Sequence, residues 1–376
     1  MRALVFEMFP FHFEIIPGFV SIFLQMGYQV DCLLQEVKSY GDVFCRCEEM
    51  RKKIGIYYYT SDSLSDMLQD LQLRNHYDLV FFSSVEIGYG TCRQALLQIE
   101  NHFDTKPKLA GCCHSFQFPE EEIREALLRF DGRIVTLSAS ETPYGNFPEV
   151  NPNYFCDIEK EGQKHKKPTV ISIGISTNPY ELTKAANMIY KKTGNTVHLT
   201  MVSNKDSRYE MINSRYEMIK HLIKYCLIRV FKLKKYDLER HGPRTIMNRN
   251  VRKEIEITGR ITFSDMFSRI DSSDFIAVNL FEREVKVFSS IRTSGAKQLS
   301  LGFLKPCIIE KAVADYYGFN EKNAVVYNKG EFVQALERAV SMNETQYAEM
   351  VEALKELRDR IRESSLNNLR KIVSDP

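Results

Sequence analysis

Short apolar runs alternate with stretches of helical periodicity along the first half of the chain. The apolar runs predict six strands, at 2–6, 29–34, 55–59, 78–83, 108–113 and 133–137. The periodic stretches predict helices at about 14–26, 61–71, 91–100 and 119–130. Runs such as VFFSS and KLAGCC are apolar or small throughout, which is typical of strands covered on both faces. The pattern therefore predicts βαβ units around a parallel sheet.

The alternation stops near residue 150 and then starts again. NFPEVNPNYF is rich in proline and asparagine, DIEKEGQKHKKP is charged, and together they predict a linker of about 25 residues. Beyond it we predict a helix at about 179–192, a closing helix from about residue 344, and strands at 169–173, 196–202, 254–258, 275–279, 307–310 and 324–327. A chain of 376 residues suits about two domains. We therefore expect two successive doubly wound α/β sheets with a cleft between them.

Composition narrows the partners and the compartment. The 51 basic and 49 acidic residues leave a net charge of +2, which gives no reason to expect nucleic acid as a partner. Nine cysteines, an odd number with several inside apolar runs, indicate buried free thiols in a reducing compartment. The N-terminal segment is broken by two prolines, unlike a signal peptide, and no apolar run reaches the ~20 residues that span a bilayer. We expect a cytoplasmic protein, at most peripheral to the inner face of a membrane.

A long basic region follows the second predicted strand of the second half. SRYEMI occurs at 207–212 and again at 214–219, which we interpret as a small duplication within a surface helix. Residues 220–235 combine apolar positions at helical spacing with a cationic face. Such a helix fits an anionic membrane surface, or it presents its charges to solvent while packing on the core.

The segment IRTSGAKQLSLGFLKPCII, which starts at residue 291, carries the clearest candidate chemistry. Thr293, Ser294 and Gly295 open a predicted helix, and small or hydroxyl residues there leave backbone N–H groups accessible to an anion. Arg292 and Lys297 add cations suited to a diphosphate.

The far end of this helix is predicted from glycine and proline. We expect Gly302 to end the helix and Pro306 to start the next strand. The alternative interpretation of the whole segment is an ordinary capped helix that leads into a core strand.

Three polar residues are expected at the carboxyl edge of the first sheet. His12 and Glu14 lie between the first strand and its helix, and His114 follows KLAGCC. Ligands bind at this edge of parallel sheets, where a histidine or glutamate can orient an acceptor hydroxyl or act as a general base. A histidine beside an apolar strand is also common as a satisfied structural residue.

The run GRITFSDMFSRIDSSDFIAVNLF followed by IRTSGAKQLSLGFLKPCII resembles the C-terminal lobe of GT-B glycosyltransferases. The resemblance covers about 259–327 and extends more loosely to FPFHFEIIPGFVSIFLQMGYQV, to NPNYF and to the closing helix. It implies an acceptor-side Rossmann-like domain over 1–150 and a nucleotide-sugar-binding Rossmann-like domain over 151–345. Residues 346–376 would form a crossover helix that packs back toward the first domain.

The resemblance also implies roles for single residues. Thr293, Ser294 and Gly295 would hold the diphosphate of a nucleotide sugar, and Glu310 would lie near the nucleotide. Two features depart from the family pattern: Lys297 and Gln298 stand where many members have a ribose-binding glutamate, and GISTNPYE lacks a lysine–arginine pair.

The function that this resemblance implies is sugar transfer from a nucleotide-diphosphate donor to a glycan or lipid-linked glycan acceptor, as in polysaccharide biosynthesis. No aspartate-x-aspartate motif and no CxxC pair is present, so we expect neither a metal nor a cofactor. A sugar-nucleotide epimerase of the same fold and a non-catalytic nucleotide-sugar-binding protein remain open. An oxidoreductase also stays open, although GxGxxG is missing.

Overall fold

A computed structural model describes residues 1–9, 12–37, 39–85, 91–103, 106–114, 120–137, 141–142, 145–153, 163–174, 178–202, 248–259, 261–290 and 293–374. The duplicated SRYEMI, the basic stretch 220–235 and Arg292 lie outside these residues.

The N-terminal lobe is built on six parallel strands. They are β1 (Arg2–Glu7), β2 (Gln29–Gln35), β3 (Ile54–Tyr59), β4 (Leu79–Phe82), β5 (Lys108–Cys113) and β6 (Ile134–Thr136). Their order in the sheet is β3-β2-β1-β4-β5-β6, and every neighbouring pair is parallel. The strand order reverses between β1 and β4, which creates a crevice at the carboxyl ends of these two strands.

Helices cover both faces of this sheet. A 3₁₀ turn (Phe13–Ile15) leads into α1 (Ile16–Gln25), followed by α2 (Glu48–Arg51), α3 (Leu64–Arg74), α4 (Thr91–His102) and α5 (Glu120–Arg129). Pro17 suits the first turn of α1, where its missing N–H costs no hydrogen bond. Phe19 and Phe23 of α1 pack on Phe81 of β4, with ring centroids 4.6 and 5.1 Å away. This packing fixes the entry of α1, and with it the loop after β1. A short hairpin, β7 (Glu141–Thr142) and β8 (Gly145–Asn146), follows β6.

The C-terminal lobe repeats the architecture. Its strands are β9 (Thr169–Ile173), β10 (His198–Val202), β11 (Ile255–Thr258), β12 (Phe275–Val278), β13 (Cys307–Glu310) and β14 (Val325–Tyr327). They form a second parallel sheet in the order β11-β10-β9-β12-β13-β14. The described helices are α6 (Pro179–Thr193), α7 (Arg249–Arg252), α8 (Phe263–Asp271), α9 (Glu282–Phe288), α10 (Gly295–Phe303), α11 (Lys311–Tyr317), α12 (Phe332–Ser341) and α13 (Glu344–Ser374). The predicted pair of doubly wound parallel sheets is thereby confirmed.

The end of α10 differs from the prediction. Gly302 lies inside the helix, which continues to Phe303 and is capped by Leu304 in the left-handed conformation at φ 51°. The Lys305 N–H donates to the Ser300 carbonyl oxygen at 3.0 Å, and the Ser300 hydroxyl donates to the Lys305 carbonyl oxygen at 2.7 Å. These bonds close the helix end and hold a leucine where glycine is the usual residue. The next strand begins at Cys307, one residue after Pro306.

The first part of the predicted linker, up to residue 153, is packed against the rest of the protein. Val150, Asn151 and Asn153 are all buried, although they lie in the stretch rich in proline and asparagine. The backbone of Pro152 lies so close to α1 that a Cβ added to Gly18 would be 2.5 Å from its carbonyl carbon. Asn151, one of the asparagines that suggested a loop, instead hydrogen-bonds with Gln298 and Ser365 in a packed polar junction.

The closing helix α13 joins both lobes. Near its start, the Tyr347 hydroxyl donates to the carbonyl oxygen of Asp274, the residue before β12, at 2.8 Å. Farther along, Ser365 accepts from the Asn151 N–H at 2.9 Å, and Asn368 donates to the Glu149 carbonyl oxygen at 2.9 Å. Among the described helices, including α13, none combines the length and hydropathy that crossing a bilayer requires.

Candidate functional site

The loop after β1 meets the first turn of α10 across the two lobes. A Cβ added to Gly295 would lie 3.0 Å from Oε1 of Glu14. Because glycine has no side chain, the Glu14 carboxyl can rest directly against the turn that opens α10. The structure thus brings together a residue predicted on the acceptor side and a residue predicted on the donor side.

Aromatic and ionic contacts hold the lobes in this arrangement. The Phe13 ring stacks on Phe263 of α8 at 6.3 Å, and the Tyr40 ring lies 5.9 Å from Phe263. The Phe263 N–H donates to the Tyr40 carbonyl oxygen at 2.8 Å. Arg46 of the first lobe pairs with Asp271 at the end of α8 at 3.0 Å. Phe13 directly precedes Glu14 in sequence, so its contact with α8 holds Glu14 between the lobes.

Glu14 is suited to proton transfer near neutral pH. Burial raises the pKa of its carboxyl to about 7. A group with such a pKa exchanges its proton readily at physiological pH, which is the property of general acids and bases.

His12 and His114 come together at the carboxyl edge of the first sheet. Their rings stack with centroids 4.3 Å apart and planes inclined by 21°. Nδ1 of His12 lies 3.1 Å and Nε2 of His114 3.3 Å from the Ser84 hydroxyl oxygen. Nε2 of His114 also lies 2.9 Å from the Ser83 carbonyl oxygen. Each ring is therefore oriented by partners that follow β4.

Glu7 is the residue of this edge that the sequence interpretation missed. It is fully buried at the end of β1, and its Oε2 accepts from the Ser84 and Ser83 hydroxyls at 2.7 and 2.8 Å. Burial raises the pKa of Glu7 to about 7 against the opposing effect of its hydrogen bonds from Ser84, Phe9 and Ser83, and the nearby Glu14 charge adds to the rise. The rule that drew attention to His114 applies to Glu7 as well, since both lie where a buried strand ends.

The N-terminal turn of α10 is only partly capped by the protein. The Ser294 hydroxyl accepts from the Ala296 N–H at 3.2 Å, and the Ser294 N–H donates to the Tyr317 hydroxyl at 2.7 Å. Oγ1 of Thr293 is buried, yet it has no hydrogen-bond partner in the described part of the chain. A buried hydroxyl without a partner is unusual and is costly in the absence of a ligand or water.

Lys297 is buried behind this turn. Its ammonium lies 3.5 Å from Oε1 of Glu149 and 5.4 Å from the centroid of the Tyr317 ring. Burial lowers the pKa of Lys297, and the Glu149 carboxylate opposes this shift. The adjacent Gln298 donates to the Asn151 side-chain oxygen at 3.2 Å. In this structure both side chains connect α10 to the first lobe.

Glu310 lies at the carboxyl edge of the second sheet, at the end of β13. Burial raises its pKa, the Lys329 ammonium opposes the shift and the Glu282 charge increases it. Burial also raises the pKa of Glu181 in the first turn of α6, and the Glu310 charge adds to the effect. Glu310 therefore belongs to a half-buried acidic edge at the ends of the C-terminal strands. Over the residues that the structure describes, no three His, Cys, Asp or Glu side chains are grouped to hold a metal ion.

Comparison with known proteins identifies the architecture. No protein-family model and no curated protein sequence matches the chain. HepE of Anabaena, solved with UDP-glucose, aligns over 100% of both chains with a TM-score of 0.50 at 10% identity. An α-glucosyltransferase solved with UDP-glucose and DNA aligns over 98% of this chain and 95% of its own, with a TM-score of 0.54 at 12% identity.

A third solved structure gives the same result. TarM of S. aureus, solved with UDP and α-GlcNAc-glycerol, aligns over 98% of this chain and 100% of its own, with a TM-score of 0.52 at 8% identity. At such identities the likeness establishes the arrangement of strands and helices. The chain has the GT-B fold, with two Rossmann-like lobes and a helix that joins them.

Proposed function

We propose that the chain is a glycosyltransferase that transfers a sugar from a nucleotide-diphosphate donor to a glycan or lipid-linked glycan, without a metal ion. The observation that carries the proposal is the meeting of Glu14 and Gly295, which places a titratable carboxyl against the first turn of α10. The solved structures of this fold that contain UDP or UDP-glucose add support for a nucleotide sugar as the ligand.

The first turn of α10 would hold the donor diphosphate. The positive end of the helix dipole favours an anion there, as does the Thr293 hydroxyl, which has no partner among the described residues, together with Ser294 and Gly295. Arg292 would add a cation next to this turn, and Lys297 would contribute positive charge from behind it. These groups would stabilise the negative charge that develops as the diphosphate leaves. Glu310, at the end of β13, would lie near the nucleotide.

The first lobe would present the acceptor hydroxyl. His12, His114 and Glu14 all lie at the carboxyl edge of the sheet, and Glu14 reaches the donor side. One of these groups would accept the proton of the acceptor hydroxyl as it attacks the sugar, so the proton moves to the protein and the diphosphate departs with the bonding electrons. A peripheral membrane location would suit a lipid-linked acceptor.

Ligand binding is the first test. Nucleotide sugars that bind the native state raise its melting temperature, so we expect one of the UDP-, GDP- or dTDP-linked sugars to do so in a thermal-shift screen. Product analysis of the selected compound then separates three functions. Transfer requires an added acceptor, an epimerase changes the sugar without one, and a binding protein leaves the compound intact.

Arg292 gives the mutational test of the donor site. We expect Arg292→Ala to lower turnover by ~10²–10³, because the substitution would remove one of the cationic hydrogen-bonding groups that stabilise the leaving diphosphate. The measurement is steady-state turnover together with the melting temperature, which should not change. Near-normal turnover would exclude Arg292 from this role.

A further inference from the structure

A continuous set of hydrogen bonds connects buried Glu7 with His12. Oε2 of Glu7 lies 2.7 Å from the Ser84 hydroxyl oxygen, and that oxygen lies 3.1 Å from Nδ1 of His12. Glu7 and Ser84 are both fully buried, whereas His12 is partly exposed. The partly exposed imidazole of His12 is thus linked by hydrogen bonds to a carboxyl that solvent does not reach.

The direction of each hydrogen bond follows from the groups that can only donate or can only accept. The Phe9 N–H donates to Oε1 of Glu7 at 2.7 Å, so this oxygen must accept. Above its pKa of about 7 the Glu7 carboxyl is ionised and can only accept, so the Ser84 hydroxyl donates its single proton to Oε2. The Ser84 oxygen then has two lone pairs for the imidazoles and no proton for them. Nδ1 of His12 must therefore carry the proton in that bond.

His114 fits the same scheme. Its Nε2 lies 2.9 Å from the Ser83 carbonyl oxygen, which can only accept, so Nε2 carries the proton. The same N–H is 3.3 Å from the Ser84 oxygen, whose second lone pair is available. The two stacked rings therefore carry their basic lone pairs on different nitrogens: in its neutral form His12 keeps the lone pair on Nε2, and His114 keeps it on Nδ1.

We propose that Glu7, acting through the Ser84 hydroxyl, fixes the tautomer of His12 and makes Nε2 of His12 the basic nitrogen of the acceptor side. Glu7 is then a positioning residue and His12 the group that takes the acceptor proton. The second half of this inference rests on the proposed transfer function, whereas the tautomer itself does not.

The Glu7→Gln variant makes the inference testable, because it reverses the bonds without removing them. The Phe9 N–H requires the carbonyl oxygen of the new amide, so the amide NH₂ must face Ser83 and Ser84. Ser84 then accepts from the amide and has its own proton left for His12. Nδ1 of His12 becomes the acceptor, and the proton of the ring moves to Nε2.

The direct measurement is a long-range ¹H–¹⁵N correlation spectrum of the histidine rings in full-length ¹⁵N-labelled protein at about pH 8.5, where histidine is ordinarily neutral. The His12 signals are identified by their loss in His12→Gln. We expect a protonated Nδ1 in the wild type and a protonated Nε2 in Glu7→Gln. The same tautomer in both proteins, or a protonated Nε2 in the wild type, would overturn the proposal.

Ser83→Ala is the matched control. Ser83 is as deeply buried as Ser84 and also donates to Oε2 of Glu7, but its hydroxyl has no bond to His12. Its loss should leave His12 in the wild-type tautomer, whereas Ser84→Ala should remove the preference. Equal effects of the two serine variants would show that burial, rather than the hydrogen bonds from Glu7 through Ser84, sets the tautomer of His12.

A kinetic measurement separates this inference from the proposed function. At about pH 8.5, where wild-type Glu7 is ionised, we expect Glu7→Gln to lower kcat at least tenfold with little change in KM for the donor. The substitution would remove general base catalysis rather than binding. A reversed tautomer with unchanged kcat would overturn the role of His12 as the base. If the wild type transfers no sugar from any nucleotide donor, the proposed function fails. The tautomer measurement still shows whether Glu7 acts on His12 through Ser84.

Discussion

At the scale of single residues, Glu7 couples the candidate site to stability. Its pKa of about 7 in the folded protein lies above its ordinary value of 4.5. A carboxyl whose pKa is raised by folding binds more protons in the native state, so its favourable contribution is complete below pH 4.5 and is lost as the pH rises through 7. Linkage gives a loss of about 3 kcal/mol from Glu7 over this range.

We therefore expect Glu7→Gln to be more stable than the wild type at pH 8, by up to about 3 kcal/mol, and nearly equal to it at pH 4.5. The amide carries no charge to desolvate and can satisfy the same partners. Urea unfolding at the two pH values measures the difference. Glu352→Gln, on the exposed face of α13, should show no such dependence. A variant that is less stable than the wild type at pH 8 would contradict the conclusion that burial disfavours the charged form of Glu7.

Gly295 is the residue whose small size allows Glu14 to reach α10. A methyl group at Gly295 would lie 3.0 Å from the Glu14 carboxyl, so Gly295→Ala should displace it by a few tenths of an ångström. We expect kcat/KM to fall by about tenfold in the wild-type background, because Glu14 lies where the two lobes meet and small misplacements within a site are costly.

The double-mutant cycle with Glu14→Ala isolates this contact. Once the carboxyl is gone, the added methyl group has nothing to displace, so Gly295→Ala should cost much less in that background. Additive effects in kcat/KM would mean that Gly295 acts through the α10 backbone and not through Glu14.

The residues of the site were predictable to different degrees. His12, Glu14 and His114 could be selected because strand ends are readable from apolar runs. The two rings stack, and Glu7 is buried, because β1 pairs with β4 and β4 with β5. The periodicity of the sequence predicts the strands but not which strands pair. The roles assigned to Thr293, Ser294, Gly295, Lys297 and Glu310 stay predictions, as does that of Arg292.

At the scale of elements, α1 depends on a glycine for its packing. Glycine to alanine inside a helix ordinarily stabilises it by about 1 kcal/mol. A Cβ at Gly18, however, would lie 2.5–2.6 Å from backbone atoms of Pro152 and Asn153, which cannot rotate away as a side chain would. We expect Gly18→Ala to destabilise the protein by about 1–3 kcal/mol, as overpacking usually does.

Chemical denaturation of Gly18→Ala beside Ser21→Ala measures this effect. Ser21 is buried on the same helix, and its removal creates no overlap, so it should cost less than Gly18→Ala. A Gly18→Ala protein as stable as the wild type would show that residues 151–153 can move away from α1.

The strands were predicted well because covered parallel strands are apolar throughout. The runs 108–113, 169–173 and 307–310 coincide with β5, β9 and β13. The sequence failed where tertiary contacts decide. Leu304 takes a conformation that its type disfavours because Ser300 and Lys305 close the turn. Asn151 is buried where polar groups of α10 and α13 lie opposite it: Gln298 donates to its side-chain oxygen, and its N–H donates to Ser365.

At the scale of the whole molecule, the two sheets could be predicted, but the surfaces by which they meet could not. The contact depends on the loop after β1 and on the segment around Tyr40 reaching α8, and neither shows a periodic signal. The predicted helix after residue 344 is present, and its polar side chains tie together residues 149–151 and the second lobe. The orientation of the lobes is what turns separate polar residues into one candidate site.

The nucleotide affinity of Thr293→Val tests whether the donor diphosphate binds at the first turn of α10. The Thr293 hydroxyl is buried without a partner in the described structure, so valine, which has nearly the same shape, should leave the melting temperature of the ligand-free protein unchanged or slightly raised. If the diphosphate binds at this turn, calorimetric titration with UDP-glucose, or with the nucleotide sugar selected by the thermal-shift screen, should show an affinity about tenfold weaker than that of the wild type. An unchanged affinity in the variant, or no binding of any nucleotide sugar to the wild type, would show that the diphosphate does not bind at this turn.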